Sequence, residues 1–81
     1  MTEDQREMLL QAAIRYARGG RGRIIREQAK VPQQEMAELI GVTTSCLWRW
    51  ETGRRRPREG AAVRWAQQLM RLELVHTENA A

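Results

Sequence analysis

Apolar residues recur at helical spacing along most of this chain, and the pattern divides it into five segments. Leu9, Ala12, Ala13 and Tyr16, widened by Met8 and Leu10, stripe a helix predicted over about residues 3–18. Thr2 and Gln5 stand ahead of it as a capping box, and Glu3 and Asp4 complement its positive end. Ile25, with Ile24 and Ala29 alongside, marks a short second helix from about Arg21 or Gly22 to Ala29, and Val31 anchors the link that follows. Met36, Ala37 and Ile40 stripe a third helix over residues 33–40. A fourth runs from the Thr43 cap to about Thr52, and a fifth covers about residues 59–75. The fifth carries Ala62, Trp65, Ala66, Leu69 and Leu72 on one face, with Met70 and Leu74 to one side as a candidate dimer patch. The predicted class is all-α.

The third and fourth segments, QQEMAELIGVTTSCLWRWETG, organise the rest. Gly41 follows the last periodic residue of the third helix and adopts a left-handed conformation without a Cβ clash, so the chain turns sharply there. Val42 plugs the angle, the Thr43 hydroxyl caps the next helix, and Gly53 ends it. Two short helices joined by such a turn form a helix-turn-helix. The fourth helix divides by face. Cys46, Leu47 and Trp50 turn to a core; Thr44, Ser45, Trp48 and Arg49 share another side. That second group holds two hydroxyls, a guanidinium and an amphipathic ring, which is equipment for reading base edges in a major groove wide enough for one helix.

Charge changes the picture through its placement. Fourteen Lys and Arg against ten Asp and Glu give only +4, but the excess lies in two blocks. Residues 15–30 carry Arg15, Arg18, Arg21, Arg23, Arg26 and Lys30 against Glu27; residues 49–64 carry Arg49, Arg54, Arg55, Arg56, Arg58 and Arg64 against Glu51 and Glu59. Planar guanidinium groups suit a polyphosphate partner. A chain of 81 residues holds one small domain with a modest core, so dimerisation is plausible. One cysteine and one histidine assemble no disulfide, zinc site or nucleophile–base pair, so no cofactor, metal or enzymatic activity is expected. The apolar runs are too short to span a membrane, and the start MTEDQ lacks the basic region of a signal peptide; a cytoplasmic protein is expected. Cys46 reads as a small core residue.

The run PQQEMAELIGVTTSCLWRWETGRRRP resembles the Cro and phage-repressor type of helix-turn-helix domain, the xenobiotic-response-element family. Gln33, Ala37, Gly41-Val42, Leu47, Arg49-Trp50-Glu51, Gly53 and Pro57 carry the resemblance, which covers about residues 22–72. Pro32, in place of the usual hydroxyl cap, and Trp48, in place of a small polar residue, depart from it. The resemblance implies a lambda-repressor-like bundle of about five short helices, with the N-terminal helix as an extra element. Its implied layout is an N-terminal helix and Gly/Arg connection over residues 1–20, a DNA-binding domain over 21–75 and a frayed tail over 76–81. Thr44, Ser45, Trp48 and Arg49 are then base readers; Gln33, Thr43, Arg54, Arg55, Arg56 and Arg58 are DNA backbone contacts. Leu47 and Trp50 are structural, and Arg26 pairs with Glu51 to clamp the second helix to the fourth. The connection RGGRGR is expected to be a mobile basic loop, and its Arg21-Gly22-Arg23 centre resembles that of an AT-hook. That likeness makes Arg21 and Arg23 candidates for the minor groove, and the resemblance of the loop after the fourth helix to that of the family makes Arg58 another.

The functional expectation is a sequence-specific regulator of transcription, a Cro-like repressor of bacterial or phage origin. It reads double-stranded DNA with the helix over residues 44–52, as a homodimer. Two alternatives remain. An excisionase or recombination directionality factor shares the GVTTSCLWRWE run but places a small β-hairpin after it. An antitoxin or anti-repressor holds a protein partner through the extra N-terminal helix.

Overall fold

The computed structural model describes the backbone of residues 1–80 and the side chains of residues 1–76. Five α-helices and one 3₁₀ turn make up its regular structure: α1 Glu3–Ala17, the turn Arg18–Gly20, α2 Arg21–Gln28, α3 Gln33–Ile40, α4 Thr44–Glu51 and α5 Glu59–Ala80. Local signals account for most boundaries. The Thr2 N–H donates to Gln5 Oε1 at 2.8 Å and the Gln5 N–H donates to Thr2 Oγ1 at 3.1 Å, so the expected capping box starts α1. Thr43 Oγ1 accepts from the Cys46 N–H at 3.0 Å and starts α4. Gly41 is left-handed at φ 76°, and its N–H and that of Val42 close the end of α3.

Trp65 of α5 is fully enclosed and forms the centre of the core. Trp50 of α4 lies 5.4 Å from it between ring centroids, and Tyr16 of α1 meets it edge-on at 6.5 Å. Around these rings Met36, Ile40, Leu47 and Leu69 are each almost wholly buried, so every helix contributes to one core. Ala12, Ala13 and Ala17 form the inner face of α1, and their small side chains let it lie close along α5. The extra N-terminal helix is therefore part of the core.

Three expectations change. The connection RGGRGR, expected to be a mobile loop, is a compact reversal in which Gly19 and Gly20 are left-handed; α2 begins at Arg21, within the expected range. Gly22, in the first turn of α2, is pressed against Trp65: a Cβ built there would lie 2.6 Å from Trp65 Cζ2. Met8, placed in the α1 stripe by spacing, is 69% exposed, because Leu9 and the alanines already fill the contact with α5. Helix α5 continues to Ala80, past the expected end at Val75. The frayed tail expected over residues 76–81 falls largely outside the residues whose side chains are described.

Packing between distant elements supplies a cap that spacing does not reveal. The Arg64 guanidinium of α5 donates from Nε to the Ile40 carbonyl at 3.0 Å, satisfying a carbonyl at the end of α3. Its terminal nitrogens lie against Gly41 and Gly60, where a Cβ would come within 3.3 and 3.2 Å of them.

Candidate nucleic-acid interface

Helix α4 is bound to the core by one side only. Leu47, Trp50 and Glu51 are buried, Cys46 is half-buried, and Thr44, Ser45, Trp48 and Arg49 are exposed. The structure thus brings the four candidate base readers together on one open helical face. A row of hydroxyls followed one turn later by a ring and a guanidinium offers donors, acceptors and an apolar surface to base edges.

The segment after α4 is held against that helix. The N–H groups of Arg54 and Arg55 both donate to the Arg49 carbonyl, at 2.8 and 3.2 Å, and the Thr52 hydroxyl donates to the Trp48 carbonyl at 2.7 Å. Pro57 is buried as an anchor, whereas Arg54, Arg55, Arg56 and Arg58 all stand in solvent. Arg54 places its guanidinium carbon 4.6 Å above the Trp48 ring, a cation–π contact that orders both side chains on the exposed face. Trp48 is 44% exposed.

Behind this face lies a buried ion pair. Arg26 Nε donates to Glu51 Oε2 at 2.7 Å and Arg26 Nη2 to Glu51 Oε1 at 3.1 Å, a bidentate pair joining α2 to the last residue of α4. Arg26 Nη1 donates to the Val31 carbonyl at 2.9 Å, and Gln33 Nε2 donates to Glu51 Oε1 at 2.9 Å. All three elements of the helix-turn-helix support are tied at one carboxylate. This use of Gln33 went unread in the sequence: its amide spends one hydrogen on Glu51. Thr43 and Gln33 both stand at helix N-termini, and Pro32 gives α3 no side-chain cap, leaving first-turn N–H groups of α3 unpaired by any cap.

The minor-groove candidates fare differently. An AT-hook needs extended backbone, but Arg21, Gly22 and Arg23 form the first turn of α2, so that likeness does not survive in the fold. Arg21 Nη2 meets Glu73 Oε2 at 3.2 Å and Arg23 Nε meets Glu27 Oε2 at 3.4 Å. Arg58 remains exposed beside the start of α5. Glu73 also accepts from the Tyr16 hydroxyl at 2.6 Å, linking α1, α2 and α5. Burial first, and then the hydrogen bond and charge of Glu73, hold the Tyr16 phenol far above its ordinary range.

A short helix, a glycine-closed turn and a second helix with a solvent-facing polar side define a helix-turn-helix protein. Comparison with protein families agrees: the profile of a helix-turn-helix domain family matches residues 19–72, two-thirds of the chain, and the protein belongs to that family. Searches of curated proteins and of solved structures returned no match. The matched segment begins after α1, so the N-terminal helix is an addition to the family domain. No described helix is long and apolar enough to cross a membrane.

Proposed function

We propose that this protein is a sequence-specific, double-stranded DNA-binding repressor of the Cro type, acting by occupying an operator and catalysing nothing. In this reading α4 enters the major groove, with Thr44, Ser45 and Arg49 on base edges and Trp48 against a thymine methyl or a sugar. Thr43, Gln33, Arg54, Arg55, Arg56 and Arg58 hold the phosphate backbone on either side. The observation that carries the reading is the division of α4: four polar or amphipathic side chains share its open face, while its opposite face is locked to the core and to Arg26. Selection from a random duplex pool, followed by sequencing, tests it. Enrichment of inverted half-sites with centres roughly 34 to 36 Å apart supports dimeric reading of the major groove. A pool without enrichment overturns sequence-specific binding.

An excisionase is disfavoured, because the residues after Pro57 form α5 and no strand occurs among the described residues. A partner-binding role retains one specific support. An apolar groove of about 550 Å³ runs between α1 and α5, lined by Met1, Met8, Leu9 and Met70. Flexible thioethers fill irregular partner surfaces well. Sedimentation of the protein alone and with duplex separates the cases. A dimer in both supports the repressor; a monomer in both favours an unrelated protein partner.

A further inference from the structure

The added N-terminal helix ends beside the segment that follows α4. A cleft of about 300 Å³ separates them, with Arg18 on one wall, Arg55 and Arg56 on the other, and Gln11, Ile14 and Ala17 along the α1 side. The fold therefore joins the two basic blocks of the sequence at one place, although they lie more than thirty positions apart in the chain.

The three arginines of α2, by contrast, have acidic partners. Arg21 pairs with Glu73, Arg23 with Glu27 and Arg26 with Glu51. Among the described residues no carboxylate oxygen comes within 4.0 Å of Arg18, Arg55 or Arg56, and all three are exposed. Like charges gathered at a shared cleft repel one another, and an anion seated between them turns that repulsion into attraction. The arginine fork presents several donors to phosphate oxygens, so several such forks around one cleft suit a partner that carries a series of phosphates.

We infer that Arg18 acts with Arg55 and Arg56 as a DNA phosphate clamp, so that the N-terminal helix extends the backbone contact beyond the family domain. The inference rests on the DNA-binding reading proposed above. In the complex, α4 reads bases while the α1 terminus grips the flanking phosphate chain. The left-handed pair Gly19 and Gly20 turns the chain away directly after Arg18, leaving that side chain at the rim of the cleft. Arg15, three residues earlier, lines the apolar α1/α5 groove instead and provides a control of equal charge.

The test is a salt series on the full chain with a fluorescent duplex, comparing wild type with Arg18→Gln, Arg15→Gln and Arg55→Ala. A phosphate contact releases counterions, so Arg18→Gln is expected to flatten the log–log salt dependence by about one unit, as Arg55→Ala does. Arg15→Gln is expected to leave the slope near that of wild type. Circular dichroism of each variant checks that the fold is retained; neither Arg18 nor Arg15 forms a side-chain hydrogen bond among the described residues. An Arg18→Gln slope equal to that of Arg15→Gln, with Arg55→Ala still flattened, overturns the clamp alone. Failure of the wild type to bind any duplex overturns the DNA-binding reading and the clamp with it.

Discussion

Arg26 and Glu51 show how one pair of side chains positions a binding surface. Both are nearly buried, and every polar atom of the Arg26 fork that faces the interior has an acceptor. A buried pair adds little net stability over apolar packing, yet removing one member strands the other charge at a cost of about 3 to 5 kcal/mol. Arg26→Ala and Glu51→Ala are each expected to lower the denaturation midpoint sharply, and the double variant to lose less than the sum. Additive losses in urea titrations would show that the two side chains act independently. A second residue-scale prediction concerns Gly22. Its missing side chain leaves room for Trp65, whose ring is enclosed and cannot retreat, so Gly22→Ala is expected to destabilise by about 1 to 3 kcal/mol through overpacking. An unchanged midpoint would mean that α2 shifts freely away from α5.

At the scale of elements, α1 is fastened to the family domain by small buried side chains and by a polar link. The Tyr16 hydroxyl donates to Glu73 of α5, which also receives Arg21 of α2. Unfolded tyrosine loses its proton near pH 10, whereas the folded phenol holds it well above that. Above about pH 10 the folded chain therefore binds more protons than the unfolded one, so this contribution to stability is complete below that pH and is lost as pH rises. Tyr16 is the only tyrosine, which makes the prediction direct to read. Its ultraviolet tyrosinate band is expected to rise together with loss of helical ellipticity, and Tyr16→Phe to remove this alkaline component. A tyrosinate band that rises near pH 10 with the helices intact would contradict the buried link. The helices themselves were legible in the sequence because their caps and stripes are local: Thr2 with Gln5, Thr43, Gly41, and the spacing of Met36, Ala37 and Ile40. The packing that follows the turn after α1 was not legible, because Gly22 meets a ring 43 positions later. Arg64 capping Ile40 has the same origin. Neither leaves a mark in the spacing of neighbouring residues.

At the scale of the whole molecule, the candidate site was readable where it coincides with one helix and harder to read where it joins distant segments. Thr44, Ser45, Trp48 and Arg49 follow from helical periodicity alone, whereas Arg18 beside Arg55 and Arg56 emerges only once α1 is packed. If α4 reads bases while the following loop holds phosphates, the two roles separate in two variants. A guanidinium facing guanine O6 and N7 makes two hydrogen bonds that no other base edge reproduces. Arg49→Ala is therefore expected to cost roughly 1 to 3 kcal/mol on the selected duplex and to relax preference at one base position. Arg55→Ala is expected to weaken cognate and scrambled duplexes alike and to flatten the salt dependence by about one unit. The most direct measurement is the ratio of cognate to scrambled affinity for Arg49→Ala and wild type at one salt concentration. This ratio is expected to fall toward one in Arg49→Ala; a variant that weakens on both duplexes equally, with the ratio unchanged, would contradict docking of α4 in the groove.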